Sequence, residues 1–182
     1  LEDQFFLNHI TTILECGDRY GASTIGKGQK INVEYVSANP TGPLHTGHGR
    51  VAVVADVLAT LLEKAGYDVT REFYINDAGK QAQTLARSTH LRYQEALGKT
   101  IPEIPEGYYP GDYLKAVGQA LAERDGDKWL NAPESDWLDT FREFAVEFMM
   151  KTIRKDLELI GINQDIFTSE IALQRSGAVE HA

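Results

Sequence analysis

The sequence predicts an α/β fold: part of a parallel, doubly wound sheet that carries a mostly helical insertion. Three observations predict it. INVEYVS (31–37), a Gly/Pro loop, an apolar-periodic stretch and VTREFYI (69–75) follow one another as strand, loop, helix, strand. Such a crossover is right-handed and makes its strands parallel. A long helical stripe before a short strand at 165–170 supplies one more strand of the same kind. Between them lies a polar, proline-broken segment that belongs to no strand–helix–strand unit.

Each element has a local reason. Residues 4–16 put Phe5, Phe6, His9, Ile10, Ile13 and Leu14 at helical spacing, and 17–30 read as a Gly-rich loop. In 31–37, Ile31, Val33, Tyr35 and Ser37 alternate with Asn32, Glu34 and Val36, so Glu34 points away from the Val33/Tyr35 side. ANPTGPLHTG (38–47) holds two Pro and two Gly and ends the strand. From His48 to Ala65, the positions Val51, Ala52, Val54, Ala55, Leu58, Leu61, Leu62 and Ala65 predict a helix buried on a broad face, with Gly66 as its terminator. Residues 76–100 are helical and polar, and 101–111 are irregular, with three Pro and two Gly. Asp112–Asp125 is a helix. Ser135 or Asp136 is the expected cap of a long helix to Ile160, striped by Trp137, Phe141, Ala145, Met149, Ile153 and Leu157, with Gly161 after it. The expected organisation is 1–30 helix and linker, 31–77 first half of the core, 78–135 insertion, and 136–182 return helix and strand.

Composition narrows the function. The 182 residues carry 18 Lys+Arg against 27 Asp+Glu, a net charge of −9, which argues against a general nucleic-acid coat. A lone cysteine, Cys16, excludes an internal disulfide framework and a cysteine zinc cluster. No apolar run reaches the roughly 18 residues of a membrane-spanning helix, and LEDQFFLNHI lacks the basic start of a secretory signal. A cytoplasmic location is the expectation. The chain starts at Leu1 and stops within an apparent helix start, so a piece of a larger protein is expected.

Chemistry is expected where the first strand runs into the first helix, because ligands of open α/β sheets bind beyond the carboxyl ends of strands. There LHTGHGR places His45 and His48 three apart, with Gly47 and Gly49 between and after them. Imidazoles and free N–H groups at a helix start suit phosphate, and glycines allow a flat group such as adenine to approach. Two histidines at this spacing also fit a surface pair or part of a metal site, although no Asp, Glu or Cys pattern nearby completes a zinc set. Tyr108 and Tyr109 could stack on a base, but are more often packing residues.

The stretch VEYVSANPTGPLHTGHGR resembles the signature of the arginyl-tRNA synthetases, class I aminoacyl-tRNA synthetases, with His45-Thr46-Gly47-His48 matching the HIGH motif. The likeness continues through AGYDVTREFYINDAGKQ (65–81) and resumes in FREFAVEFMMKTIRKDLELIG (141–161). It implies a partial Rossmann-like (HUP-type) sheet. It also implies an enzyme that activates L-arginine with ATP and passes the arginyl group to tRNA(Arg), with Mg²⁺ accompanying ATP and no metal ligand assigned here. By that resemblance, His45 and His48 are catalytic, and His45, Gly47, His48 and Gly49 bind ATP. Glu34 pairs with the guanidinium, and Ser37 and Asn39 hold the α-ammonium group. Asn76, Asp77 and Gln81 sit in a further family signature near the cleft; an Asn/Asp helix cap reads them equally well.

One position departs from the pattern. Some members carry a lysine three residues before the first His, where this chain has Gly42. A KMSK-type loop should then supply charge on pyrophosphate, and these 182 residues hold none. The isolated chain is therefore expected not to aminoacylate, and to self-associate at its open sheet edge, with a monomeric parent as one reading. Two alternatives stand beside this. A small HxGH nucleotidyltransferase complete in itself would need a distal basic motif, where only Arg175 is available. A non-catalytic module that binds nucleotide or arginine is the other.

Overall fold

In the computed structural model, which describes residues 3–101 and 103–181, three parallel strands run in the order β1 (Lys30–Glu34), β2 (Asp68–Ile75), β3 (Ile166–Ser169). Glu34 stands in register with Glu72, and Glu72 with Ile166. Helix α1 (Asp3–Cys16) precedes the sheet, α2 (Thr46–Lys64) links β1 to β2, and α3 (Lys80–Ala96), α4 (Tyr113–Asp125) and α5 (Glu134–Leu159) lie between β2 and β3. Short helices α6 (Glu170–Arg175) and α7 (Ala178–His181) follow. The parallel order agrees with the crossover reading.

Period-two patterning sorts the sheet. Tyr35, Phe73 and Ile75 are buried on one face, in a cluster with Ala52 of α2 and Met149, Ile153 and Leu157 of α5. That cluster continues into Ala82 and Leu85 of α3 and Leu114 and Val117 of α4. A Cβ at Gly118 would collide with the backbone of Arg92 and Tyr93, so the α3–α4 crossing requires glycine there. The opposite face is polar and half-exposed, and Asn32, Glu72 and Thr168 join across all three strands by hydrogen bonds. On the helix-facing side, Arg71 pairs with Glu63 at 2.6 Å and Asp56 at 3.3 Å, and Tyr35 Oη donates to Asp56 at 2.8 Å. These bonds tie β1 and β2 to α2.

Four expectations need correction. β1 stops at Glu34 and not at 37, because Val36 (φ 66°) and Ser37 (φ 40°) both turn into the left-handed region. α2 starts at Thr46, earlier than His48, because the His45 side chain caps it. Its broad face is not buried: only Ala52 and Ala59 are, while Val54 is 66% and Leu61 59% exposed. α5 begins after Pro133, whose fixed φ suits a helix entry, and Ser135 bonds Asp136 within the helix and caps nothing. Gly66 (φ 89°) terminates α2 as expected. Among the described residues no helix is long and apolar enough to cross a membrane.

Candidate functional site

The two histidines meet at the first turn of α2. His45 is the N-cap, with extended backbone (φ −122°, ψ 172°), and its Nδ1 accepts from the Gly47 N–H at 3.1 Å. His48 reaches back, and its Nδ1 accepts from the His45 N–H at 3.3 Å. The rings stack with centroids 3.7 Å apart and planes 19° from parallel. This reciprocal cap has a chemical consequence. A neutral imidazole that accepts at Nδ1 carries its proton at Nε2. Both rings therefore present an Nε2–H donor outward. Burial, and then the cost of placing two charges on adjacent stacked rings, holds the His48 pKa below its ordinary value, favouring the neutral form. One expectation changes in detail: the Gly47 N–H is occupied by His45 itself, so the imidazoles stand in front of part of the helix start.

Gly47 has a steric reason to lack a side chain, because a Cβ there would lie 2.9 Å from His45 Cε1. A Cβ at Gly49 would meet nothing within 4 Å, which leaves open space beside the first turn.

The turn after β1 holds a second group. Left-handed Val36 and Ser37 reverse the chain so that Ser37 Oγ donates to the Glu34 carboxylate and accepts from the Tyr74 N–H at 3.1 Å. A β-branched residue at positive φ is disfavoured, and each such residue costs on the order of 1–3 kcal/mol. The surrounding bonds hold it there. Two residues on, Asn39 Nδ2 donates to Gln81 Oε1 at 2.7 Å, and Asn76 Nδ2 donates to Asn39 Oδ1 at 2.9 Å. Asn39, Asn76 and Gln81 thus form one amide network across the carboxyl ends of β1 and β2.

A cavity of about 380 Å³ opens beside the histidines, lined by Asn39, Thr41, Gly42, Pro43, His45, His48, Tyr109 and Tyr113. It gathers His45, His48 and Asn39, with Asn76 and Gln81 behind Asn39. Glu34 and Ser37 stand outside its lining, on the polar face at the end of β1. Asp77 turns elsewhere: its carboxylate accepts from Ser169 Oγ at 2.5 Å and from the Ile171 N–H at 2.9 Å, and so caps α6. Tyr109, for which stacking on a base and packing are both open from sequence, and Tyr113 of α4 are walls of this cavity. The adjacent Gly-Asp-Tyr at 111–113 is the one local signal, since Gly111 gives the Tyr113 ring room. Among the described residues no three His, Cys, Asp or Glu side chains gather to hold a metal.

The family model for class I tRNA synthetases (R), catalytic domain, matches residues 9–110. The arginine–tRNA ligase of Nitrobacter hamburgensis is 57% identical over 178 residues, covering 98% of this chain and 30% of its own length. That of Nitrobacter winogradskyi is 60% identical over 161 residues, covering 88% of this chain and 27% of its own. The chain thus spans about 30% of the length of the curated relatives it matches. Among solved structures, a Campylobacter jejuni chain provisionally named an arginyl-tRNA synthetase superposes with TM-score 0.83 at 31% identity, over 95% of this chain and 38% of that one. The Thermus thermophilus arginyl-tRNA synthetase shares the fold, with TM-score 0.56 at 18% identity, over 88% of this chain and 26% of that one. With the HIGH-type histidines at a helix start beyond a parallel sheet, and a family model matched over more than half its length, this chain belongs to the class I tRNA synthetases (R), catalytic-domain family.

Proposed function

We propose that this chain forms the first part of the catalytic domain of a cytoplasmic arginine–tRNA ligase. That enzyme joins L-arginine to ATP as arginyl-adenylate, with release of pyrophosphate, and then transfers the arginyl group to tRNA(Arg). In this reading residues 31–77 supply the first half of the core, 78–135 the insertion and 136–182 the return helix and strand, after the helix and linker of 1–30. The observation that carries it is the reciprocal cap, which leaves two imidazole Nε2–H donors side by side at the start of α2.

The arginine carboxylate is already ionised near neutral pH, so adenylation needs no general base. It needs in-line positioning and donors for the charge that grows on the α-phosphate. His45 and His48 donate from Nε2 to phosphate oxygens, and one such donor is worth roughly a hundredfold in rate. Gly49, with open space above it, allows the nucleotide to lie close to the backbone. Mg²⁺ comes with ATP, bound by its phosphates. No residue here is named as its ligand.

Glu34 takes the guanidinium with the paired acceptor geometry that a carboxylate offers. Ser37, already bonded to Glu34, and Asn39, fixed by Asn76 and Gln81, hold the α-ammonium end.

The test is arginine-dependent ATP–pyrophosphate exchange by the full-length protein, with tRNA present. His48→Ala should lower the exchange rate about a hundredfold with little change in arginine KM. Glu34→Gln should raise the arginine KM steeply and leave the ATP KM alone. Wild-type protein that exchanges without arginine would point to a general nucleotidyltransferase. Wild-type protein that binds nucleotide or arginine and never exchanges would point to a binding module.

A further inference from the structure

The inserted segment reaches back to the loop that presents His45. Tyr113, in the first turn of α4, donates from Oη to the Thr41 carbonyl at 2.7 Å, 72 residues away in sequence. Its ring lies between two glycines. A Cβ on Gly42 would come 3.2 Å from Oη, and one on Gly111 would fall within the ring's own contact distance. Neither glycine has a positive φ; the tyrosine ring leaves no room for a side chain at Gly111 and crowds one at Gly42. Burial, and then the neighbouring Tyr109, raises the Tyr113 pKa, which keeps the phenol protonated and able to donate.

Only Gly42, Pro43 and Leu44 separate the anchored Thr41 from His45. On its other side Thr41 donates its N–H to the Asn39 carbonyl at 2.7 Å. A side chain of the insertion therefore grips the loop between the two cavity residues Asn39 and His45.

Docking of α4 does not need this bond. Leu114 and Val117 are fully buried and fasten the helix to the core. The hydroxyl contributes no apolar burial and is directed at the loop.

We infer that Tyr113 is a positioning residue: through the Thr41 carbonyl it fixes where the 39–45 loop places His45 against the nucleotide. The inference rests on the adenylation reading above. It makes the insertion part of the nucleotide site as well as an appendage of the sheet.

The experiment uses the full-length ligase with tRNA and follows arginine-dependent pyrophosphate exchange. Tyr113→Phe keeps the ring and removes one hydrogen bond. The exchange kcat should fall about tenfold, the equivalent of one such bond. The arginine KM and the melting temperature should stay near wild type. Gly42→Ala, which pushes on the same hydroxyl, should reproduce the loss.

The double variant His45→Ala/Tyr113→Phe should be no slower than His45→Ala alone, because the tyrosine acts through that imidazole. An unchanged kcat in Tyr113→Phe overturns the inference. So do losses that multiply in the double variant, or a kcat loss matched by an equal rise in arginine KM. These results leave the adenylation reading intact if wild-type protein exchanges. Wild-type protein without exchange removes both.

Discussion

Replacing Gly47 by alanine sets two local effects against each other. Alanine is the better helix former, by about 1 kcal/mol in a helix interior. Its Cβ, however, would sit 2.9 Å from His45 Cε1 and 3.0 Å from Nδ1. The imidazole is the movable partner and must rotate away, breaking the Gly47 N–H bond to Nδ1. Loss of an N-cap bond costs about 1 kcal/mol. The two contributions nearly cancel, so the melting temperature of the full-length Gly47→Ala protein should stay within a few degrees of wild type. The rate should not. A rotated ring no longer places its Nε2–H, and misplacement by about 1 Å costs about a hundredfold. Thermal denaturation and arginine-dependent pyrophosphate exchange, measured on the same sample, check this. Exchange at the wild-type rate with an unchanged melting temperature would refute the placement of His45. A rate loss that merely followed a collapse in stability would refute the claim that the site, and not the fold, is what changes.

Three further outcomes follow from other contacts. Arg71→Met should destabilise the chain by about 1–2 kcal/mol in urea titration, because part-buried Asp56 loses its guanidinium partner while the more exposed Glu63 keeps its water. The Arg71 guanidinium holds the Glu63 pKa below its ordinary value. The stability from that pair is present at neutral pH and lost as the pH falls through the lowered pKa; Arg71→Met should shrink that acid loss. His90, stacked on Trp137 at 3.9 Å with Nε2 on the Trp129 carbonyl at 3.2 Å, has its pKa depressed by burial. The unfolded chain takes up a proton near the ordinary 6.5 while the folded one resists, so stability falls as the pH drops below about 6.5. His90→Gln should flatten that slope in melting curves recorded from pH 8 to about 5.

Local pattern carried the strand–helix–strand unit, the α5 stripe and the placement of His45 and His48 at a helix start, since these depend on periodicity and on neighbours in sequence. Other features depend on tertiary contacts. The early end of β1 requires a left-handed valine, which propensity disfavours and which tertiary contacts sustain: the Ser37 bonds, the Gln164 bond to the Tyr35 carbonyl and packing of Val36 on the core. The start of α5 at Glu134, just after Pro133, competed with two good capping residues, Ser135 and Asp136, that the helix absorbed. The aliphatic outer arc of α2 is indistinguishable in sequence from a core face, yet Val54, Leu58 and Leu61 are more than half exposed. Within the candidate site, Asp77 read like Asn76 and Gln81 but faces α6, because a carboxylate at that bend satisfies the Ser169 hydroxyl and the Ile171 N–H. The Tyr113–Thr41 bond spans 72 residues and leaves no local trace beyond a glycine two positions before the tyrosine.

The tautomer that the cap imposes sets what natural variation can change here. With each Nδ1 committed to a main-chain N–H, neither ring can relay a proton from one nitrogen to the other without undoing the first turn of its own helix. In the proposed adenylation the pair therefore serves as a fixed fork of donors, with no acid–base part. On that reading, substitutions that re-aim the rings should change the exchange rate more than substitutions that shift their acidity.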